Sequence, residues 1–201
     1  MDTADRAGAQ SSRSAMPART IHTERLDLTP WAPEHAAALA QLARTSGVVP
    51  SIARNPRWDP EHPEVLSRAL LHHWEAHGFG WRAISERSAG VITGFVGVTY
   101  LGENELGLDP ADFELGCWVH PSHWRRGLAA EASDAVIGEA FRDLGATSVM
   151  GCARADHRAS IDGAHHLGLQ LEQQVTAPSG AAILVMRVTA EQWAATHATA
   201  H

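Results

Sequence analysis

The sequence predicts a single mixed α/β domain. Three observations carry that reading. Strand-like and helix-like patterns follow one another in the order β-α-α-β-β-β-α-β-α-β-β. The 201 residues, 44% hydrophobic and 19% charged, suit one sizeable core. No internal repeat, low-complexity tract or linker interrupts residues 20–195, so the domain is expected there, with a disordered tail over 1–19 and a short tail over 196–201.

Each element has a local reason. Residues 1–19 are rich in Ala, Ser, Asp, Arg and Gln without periodicity. Ile21 to Trp31 alternates and reads as the first strand. Pro33 stands at a helix start, and Ala36, Leu39, Ala40, Leu42 and Ala43 carry the helix. Thr45 to Pro63 is irregular, with four prolines and Trp58; a loop of that length in a compact domain is functional or disordered. Glu64 to His77 is a second helix with Val65, Leu66, Ala69, Leu70 and Trp74 on one side. Phe79–Ser85 and Val91–Leu101 are strands around a turn at Glu86–Gly90, and Glu103–Pro110 is a loop. Ser148–Ala153 is a strand, Arg158–Leu167 a short helix closed by Gly168, and Leu169–Val175 and Ala181–Val188 an antiparallel pair around Pro178-Ser179-Gly180.

The chain is organised around Glu114 to Glu131. Leu115–Val119 is an apolar run of strand length, which Pro121 must end near His120. A polar turn, Ser122–Arg126, leads to Gly127, and from Leu128 the apolar residues recur with helical spacing until Gly145. The first turn of such a helix leaves backbone N–H groups without partners, and its dipole adds partial positive charge. With a glycine at the turn and cationic Arg125 and Arg126, the site is suited to an anion. It lacks the Gly-Lys-Ser/Thr ending of a P-loop and the spaced glycines of a dinucleotide fingerprint, so a pyrophosphate that needs no metal is the expected guest.

Composition narrows the classes. A formal charge of −7 argues against a nucleic-acid binder and favours a cationic substrate. Cys117 and Cys152 both fall in strands and read as buried free thiols. No apolar run is long enough for a membrane span, and no signal-peptide core is present, so a cytoplasmic location is expected. His73 and His77 sit four apart on a helix, but no third ligand accompanies them, so a solvent-facing pair is expected and no metal.

The stretch Trp118-Val-His-Pro-Ser-His-Trp124-Arg-Arg-Gly127-Leu-Ala-Ala-Glu131-Ala132 resembles the acyl-CoA-binding motif of the GNAT superfamily of N-acetyltransferases. It is similar in particular to the ribosomal-protein N-acetyltransferase branch, whose turn reads Trp-x-x-Gly-x-Ala, then a small residue, Glu and Ala. Thr23-Glu24-Arg25-Leu26 resembles the opening strand of that branch, and Ser160-Ile161 with Leu167-Gly168 its second motif; His157 stands where the branch has Asn, and Leu169 where it has Phe.

The resemblance implies the GNAT fold, a mostly antiparallel sheet splayed between its fourth and fifth strands, here Asp112–His120 and Ser148–Ala155. It implies acetyl-CoA as acyl donor and an amine as acceptor. Backbone amides of Trp118 and Val119 would face the thioester carbonyl, Arg125, Arg126, Gly127, Leu128, Ala129 and Ala130 would hold the pyrophosphate, and His157 and Ser160 would touch the cofactor arm. The branch assigns an acid to Ser160, which otherwise is a helix-turn contact, and a base to Glu114, which otherwise is a strand carboxylate in an ion pair. Ala164 replaces the tyrosine many members use as acid. His120 and His123 either relay a proton or form a plain turn; Arg154 and Arg158 either meet the 3′-phosphate or are solvated. Thr45–Pro63 reads either as a substrate lid or as a connector anchored by Trp58. A larger acyl-CoA and a non-catalytic CoA-binding module remain alternatives. The expected partners are acetyl-CoA and an amine, with a homodimer allowed and neither nucleic acid nor membrane.

Overall fold

The computed structural model describes residues 19–45 and 62–198. The expected N-terminal tail, most of the Thr45–Pro63 stretch with Trp58, and residues 199–201 lie outside the described residues.

One eight-stranded sheet runs in the order β1-β2-β3-β4-β5-β6-β8-β7. Its strands are β1 Ile21–His22, β2 Leu26–Pro30, β3 Arg82–Glu86, β4 Ile92–Tyr100, β5 Phe113–Val119, β6 Ser148–Arg154, β7 Gln170–Thr176 and β8 Ala182–Thr189. The helices are α1 Ala36–Ala43, α2 Pro63–His77, α3 Leu128–Arg142, α4 Arg158–His166 and α5 Ala190–Ala198. Strand alternation gives the sheet two apolar faces. Leu26, Leu28, Ile84, Val96, Val98 and Val119 pack against Leu128, Ala132, Val136 and Ile137 of α3. On the other face Ala83 and Phe95 pack against Trp31, Leu39 and Leu42 beside α2 residues Leu66, Leu70 and Trp74.

The sheet is antiparallel except at one place. β4 and β5 pair in register from Gly94↔Val119 to Tyr100↔Phe113, whereas β5 and β6 run parallel and pair only at Glu114↔Met150. From that bridge the two strands separate towards their C-terminal ends. This is the splay the sequence implied; its strands are the fifth and sixth because the expected first strand is two.

That division is a correction with a physical cause. Ile21–Trp31 is broken at Thr23, whose hydroxyl lies 2.9 Å from the Leu26 N–H and takes it out of the strand ladder. A second difference is α5, where no element was expected after Val188. Its one large apolar residue, Trp193, packs on Phe141 and donates through Nε1 to Asp134 (3.2 Å). A third is His73, which is no solvent-facing partner of His77: its Nε2 accepts the Tyr100 N–H (3.2 Å), so its proton sits on Nδ1, 2.9 Å from the Phe79 carbonyl. Burial pushes its pKa below the ordinary value.

A charged pair lies inside the α3 face. Arg82 (side chain 2% exposed) meets Glu139 (12% exposed) at 2.7 Å. Arg82 also donates to the Arg19 carbonyl (2.6 Å), while its buried Nε has no hydrogen-bond partner among the described residues.

Candidate active site

The central turn is built by two left-handed residues. After β5, His120 caps a short 3₁₀ turn, Pro121–His123. The Trp124 indole N–H donates to the Val119 carbonyl (2.7 Å). Arg125 (φ 59°) and Gly127 (φ 77°) then reverse the backbone twice around Arg126. Only at Gly127 is that conformation free of a side-chain penalty, so the strained Arg125 marks a turn held by its surroundings. The first helical bond of α3 runs from the Glu131 N–H to the Gly127 carbonyl (3.0 Å), which leaves the N–H groups of Leu128, Ala129 and Ala130 without partners within the helix.

The two arginines divide their work. Arg126 grips Glu86 at the end of β3 through both terminal nitrogens (2.8 and 2.6 Å), and Glu86 also lies 2.9 Å from His123 Nδ1. The Arg126 hydrogen bonds hold the Glu86 carboxyl below its usual range. The Arg126 side chain is therefore an anchor of the turn, which leaves its backbone N–H as its expected contribution to a pyrophosphate site. The exposed Arg125 is the turn's other cationic side chain.

A second clamp explains the Thr-Glu-Arg-Leu pattern. Glu131, in the first turn of α3, accepts from Thr23 Oγ1 (2.5 Å), the Arg25 N–H (2.8 Å) and Arg25 Nε (2.6 Å). Arg25 NH1 in turn donates to the Arg126 carbonyl (2.8 Å). Burial raises the Glu131 pKa, and these hydrogen bonds outweigh it and bring the net value below the usual range. The β1–β2 turn thus holds the backbone of the turn that leads into α3.

The gap beside β5 shows which amides face it. The His120 N–H donates to the Thr93 carbonyl (2.8 Å). Antiparallel alternation then turns the main-chain groups of Trp118 and Gly116 towards β4, and those of Val119 and Cys117 towards β6. Only Val119 of the expected pair aims its N–H into the gap. The Trp118 side chain instead stacks on Trp81, with ring centroids 4.3 Å apart. Glu114 lies at the closed end, five residues from Val119, or roughly 16 Å along the strand. Cys117 faces α3, its sulfur 4.0 Å from the Ala129 carbonyl, and burial pushes its thiol up to about 11, which rules out a resting thiolate at neutral pH.

On the α1 face a cleft of about 220 Å³ is lined by residues that include Gln41, Leu42, Ile92, Phe95, His120 and His123. His120 Nδ1 accepts the Ser122 N–H (3.2 Å). Its ring proton is then on Nε2, so the capped ring is a donor and has no lone pair at Nε2 for a relayed proton.

At the start of α4, Ser160 Oγ lies 2.7 Å from His157 Nδ1. The structure brings these two together, and sets them apart from Glu114, which lies on the other side of the gap's length. Arg154 pairs with Asp156 and Arg158 with Asp162. Among the described residues no group of three or more His, Cys, Asp or Glu is placed to hold a metal ion.

A sheet opened between two parallel strands offers unpaired main-chain groups along the opening and helix-start amides at its end, an arrangement suited to an extended chain with an anionic end. Residues 25–170 match the family described as acetyltransferase (GNAT) domain, and the chain belongs to that family. Solved structures share the fold. An acetyltransferase from Agrobacterium tumefaciens str. C58 is 24% identical, with 86% of this chain and 95% of that one covered and a TM-score of 0.71. A GNAT-family acetyltransferase from Bacillus anthracis is 14% identical over 86% and 99%, TM-score 0.67. A Vibrio cholerae structure, named for ribosomal-protein-serine acetyltransfer, is 21% identical over 87% and 99%, TM-score 0.69. No helix among the described residues is long and apolar enough to cross a membrane.

Proposed function

We propose that this chain transfers an acetyl group from acetyl-CoA to a primary amine within a ternary complex. The observation that carries the reading is the β5–β6 gap, opening from its single bridge towards the Arg125–Gly127 turn and the unpartnered amides of Leu128, Ala129 and Ala130. A pantetheine arm fits such a gap as an added strand does, and a pyrophosphate fits the helix start. Arg125 and the backbone from Arg126 to Ala130 would hold that group, and the Val119 N–H would donate to the thioester oxygen as negative charge develops on it.

In the transfer the amine nitrogen bonds to the thioester carbon, the C–S bond breaks, the nitrogen loses a proton and the thiolate gains one. Ser160, hydrogen-bonded to His157, is the proposed proton donor to sulfur, with His157 able to resupply the hydroxyl. Glu114 is the proposed base. Its distance along β5 requires intervening water to reach an amine at Val119. The acceptor is a protein N-terminus or a small amine. The name of the Vibrio cholerae neighbour and the Thr23–Arg25 and Trp124–Ala132 patterns favour the ribosomal-protein branch.

Thermal unfolding with acetyl-CoA, free CoA and dephospho-CoA tests the cofactor site. At 100 times its Kd a ligand of the folded state adds about 2.7 kcal/mol of stability. An upward shift with acetyl-CoA and CoA, diminished in Arg125→Glu, is expected; no shift with any CoA species sinks the proposal. Arg125 suits this test better than Arg126, whose replacement would also break the Glu86 pair. With an active acceptor in hand, Glu114→Gln and Ser160→Ala should each lower kcat by roughly 10²-fold or more if they move protons. Unchanged kcat in either would return that residue to a structural role.

A further inference from the structure

Trp81 occupies an unusual place. It precedes β3, whose register sets it beside Gly97, and Gly97 pairs with Gly116 on β5. A Cβ on Gly97 would come within 2.6 Å of the Trp81 Cα, and a Cβ on Gly116 would overlap the distal ring of its indole. The indole therefore lies flat across two strands over a pair of glycines, and its far edge reaches the margin of the β5–β6 gap. It is fixed there by stacking on Trp118 and by two hydrogen bonds to its carbonyl, from Trp74 Nε1 (2.7 Å) and the Trp31 N–H (3.0 Å). Gly116 is two residues from the Glu114↔Met150 bridge, so this ring covers the closed end of the gap on the α1/α2 face. Strand glycines mark sites of close approach, and here what approaches is one rigid side chain.

We infer that Trp81 sets the length of the acyl group, admitting acetyl and rejecting acyl thioesters of about six or more carbons, the length that spans the roughly 10 Å from Val119 to Gly116. The inference rests on the reading of the gap as the acyl-CoA site. An arm entering from the Gly127 turn carries its acyl group towards the closed end, where the indole fills the space a longer chain needs. A rigid wall discriminates by roughly 10-fold or more per misfitting methylene.

The test measures calorimetric Kd values for CoA, acetyl-CoA, butyryl-CoA and hexanoyl-CoA, without acceptor, on wild type, Trp81→Ala and Trp81→Phe. Wild type should bind hexanoyl-CoA at least tenfold more weakly than acetyl-CoA, with butyryl-CoA between. Trp81→Ala should bring hexanoyl- and acetyl-CoA within about threefold and leave the Kd of free CoA unchanged, with Trp81→Phe between. Should the alanine variant not fold, the phenylalanine variant still reports the trend. An identical hexanoyl-to-acetyl ratio in wild type and variants, with CoA still bound, overturns the role of Trp81 alone, as does equal binding of hexanoyl- and acetyl-CoA by wild type. No binding of any CoA species to wild type overturns the acyl-CoA reading itself, and the inference with it.

Discussion

Glu139→Leu is expected to destabilise the fold by about 3–5 kcal/mol, because it leaves the Arg82 guanidinium buried without its counter-charge. Few single changes in this chain should cost more. Burial raises the Glu139 pKa and lowers that of Arg82, and each is only partly opposed by the other's charge and hydrogen bond. Desolvation thus outweighs attraction for both partners, and the Arg82 Nε, unpaired among the described residues, adds to the cost. The pair is not a source of net stability, yet breaking it is severe. The double variant Arg82→Met/Glu139→Leu should therefore recover most of the loss. Urea unfolding of both singles and the double gives the coupling; additive single-variant losses would show that the two charges do not depend on each other.

Much of the site was legible because its signals are local. Pro121, Gly127 and the apolar spacing from Leu128 fix strand, turn and helix within thirty residues, and the anion-binding reading follows from that succession alone. What could not be read depends on contacts between distant segments. The partner of the Arg126 side chain is one case, because nothing in the turn reveals Glu86, forty positions earlier. The direction of the Trp118 amide is another, because only the register with β4 sets it. The role of Trp81 had a signal in the strand glycines at 97 and 116, but only the register shows that they face each other beneath one indole. The Thr23–Arg25 pattern was recognisable as a resemblance, and its cause is the carboxylate of Glu131. Helix α5 escaped notice because a single tryptophan gives no periodicity to count.

The same clamp gives the second large effect. Replacing Glu131 with alanine should cost about 1–2 kcal/mol, since it removes the shared acceptor of the Thr23 hydroxyl, the Arg25 amide and the Arg25 guanidinium, of which the exposed arginine groups regain water. The loss should reach the site, because Arg25 also holds the Arg126 carbonyl and so the backbone between the two left-handed residues. CoA affinity should fall about tenfold, equivalent to about 1.4 kcal/mol, even where the variant is fully folded. Glu131→Gln separates charge from shape. The Glu131 pKa is lower in the folded chain than in the unfolded one, so its stabilisation is fully present above the ordinary carboxylate range, at about pH 4.3, and is lost as pH falls through the lower folded value. The stability difference between wild type and Glu131→Gln should thus be constant from about pH 6 to 8 and shrink below about pH 4, where the wild-type carboxyl is itself becoming neutral. Urea midpoints across that range decide the matter. A difference independent of pH would mean that the side chain acts by packing, and that the Arg125–Gly127 turn is held by Arg126 and Glu86 without help from the first strands.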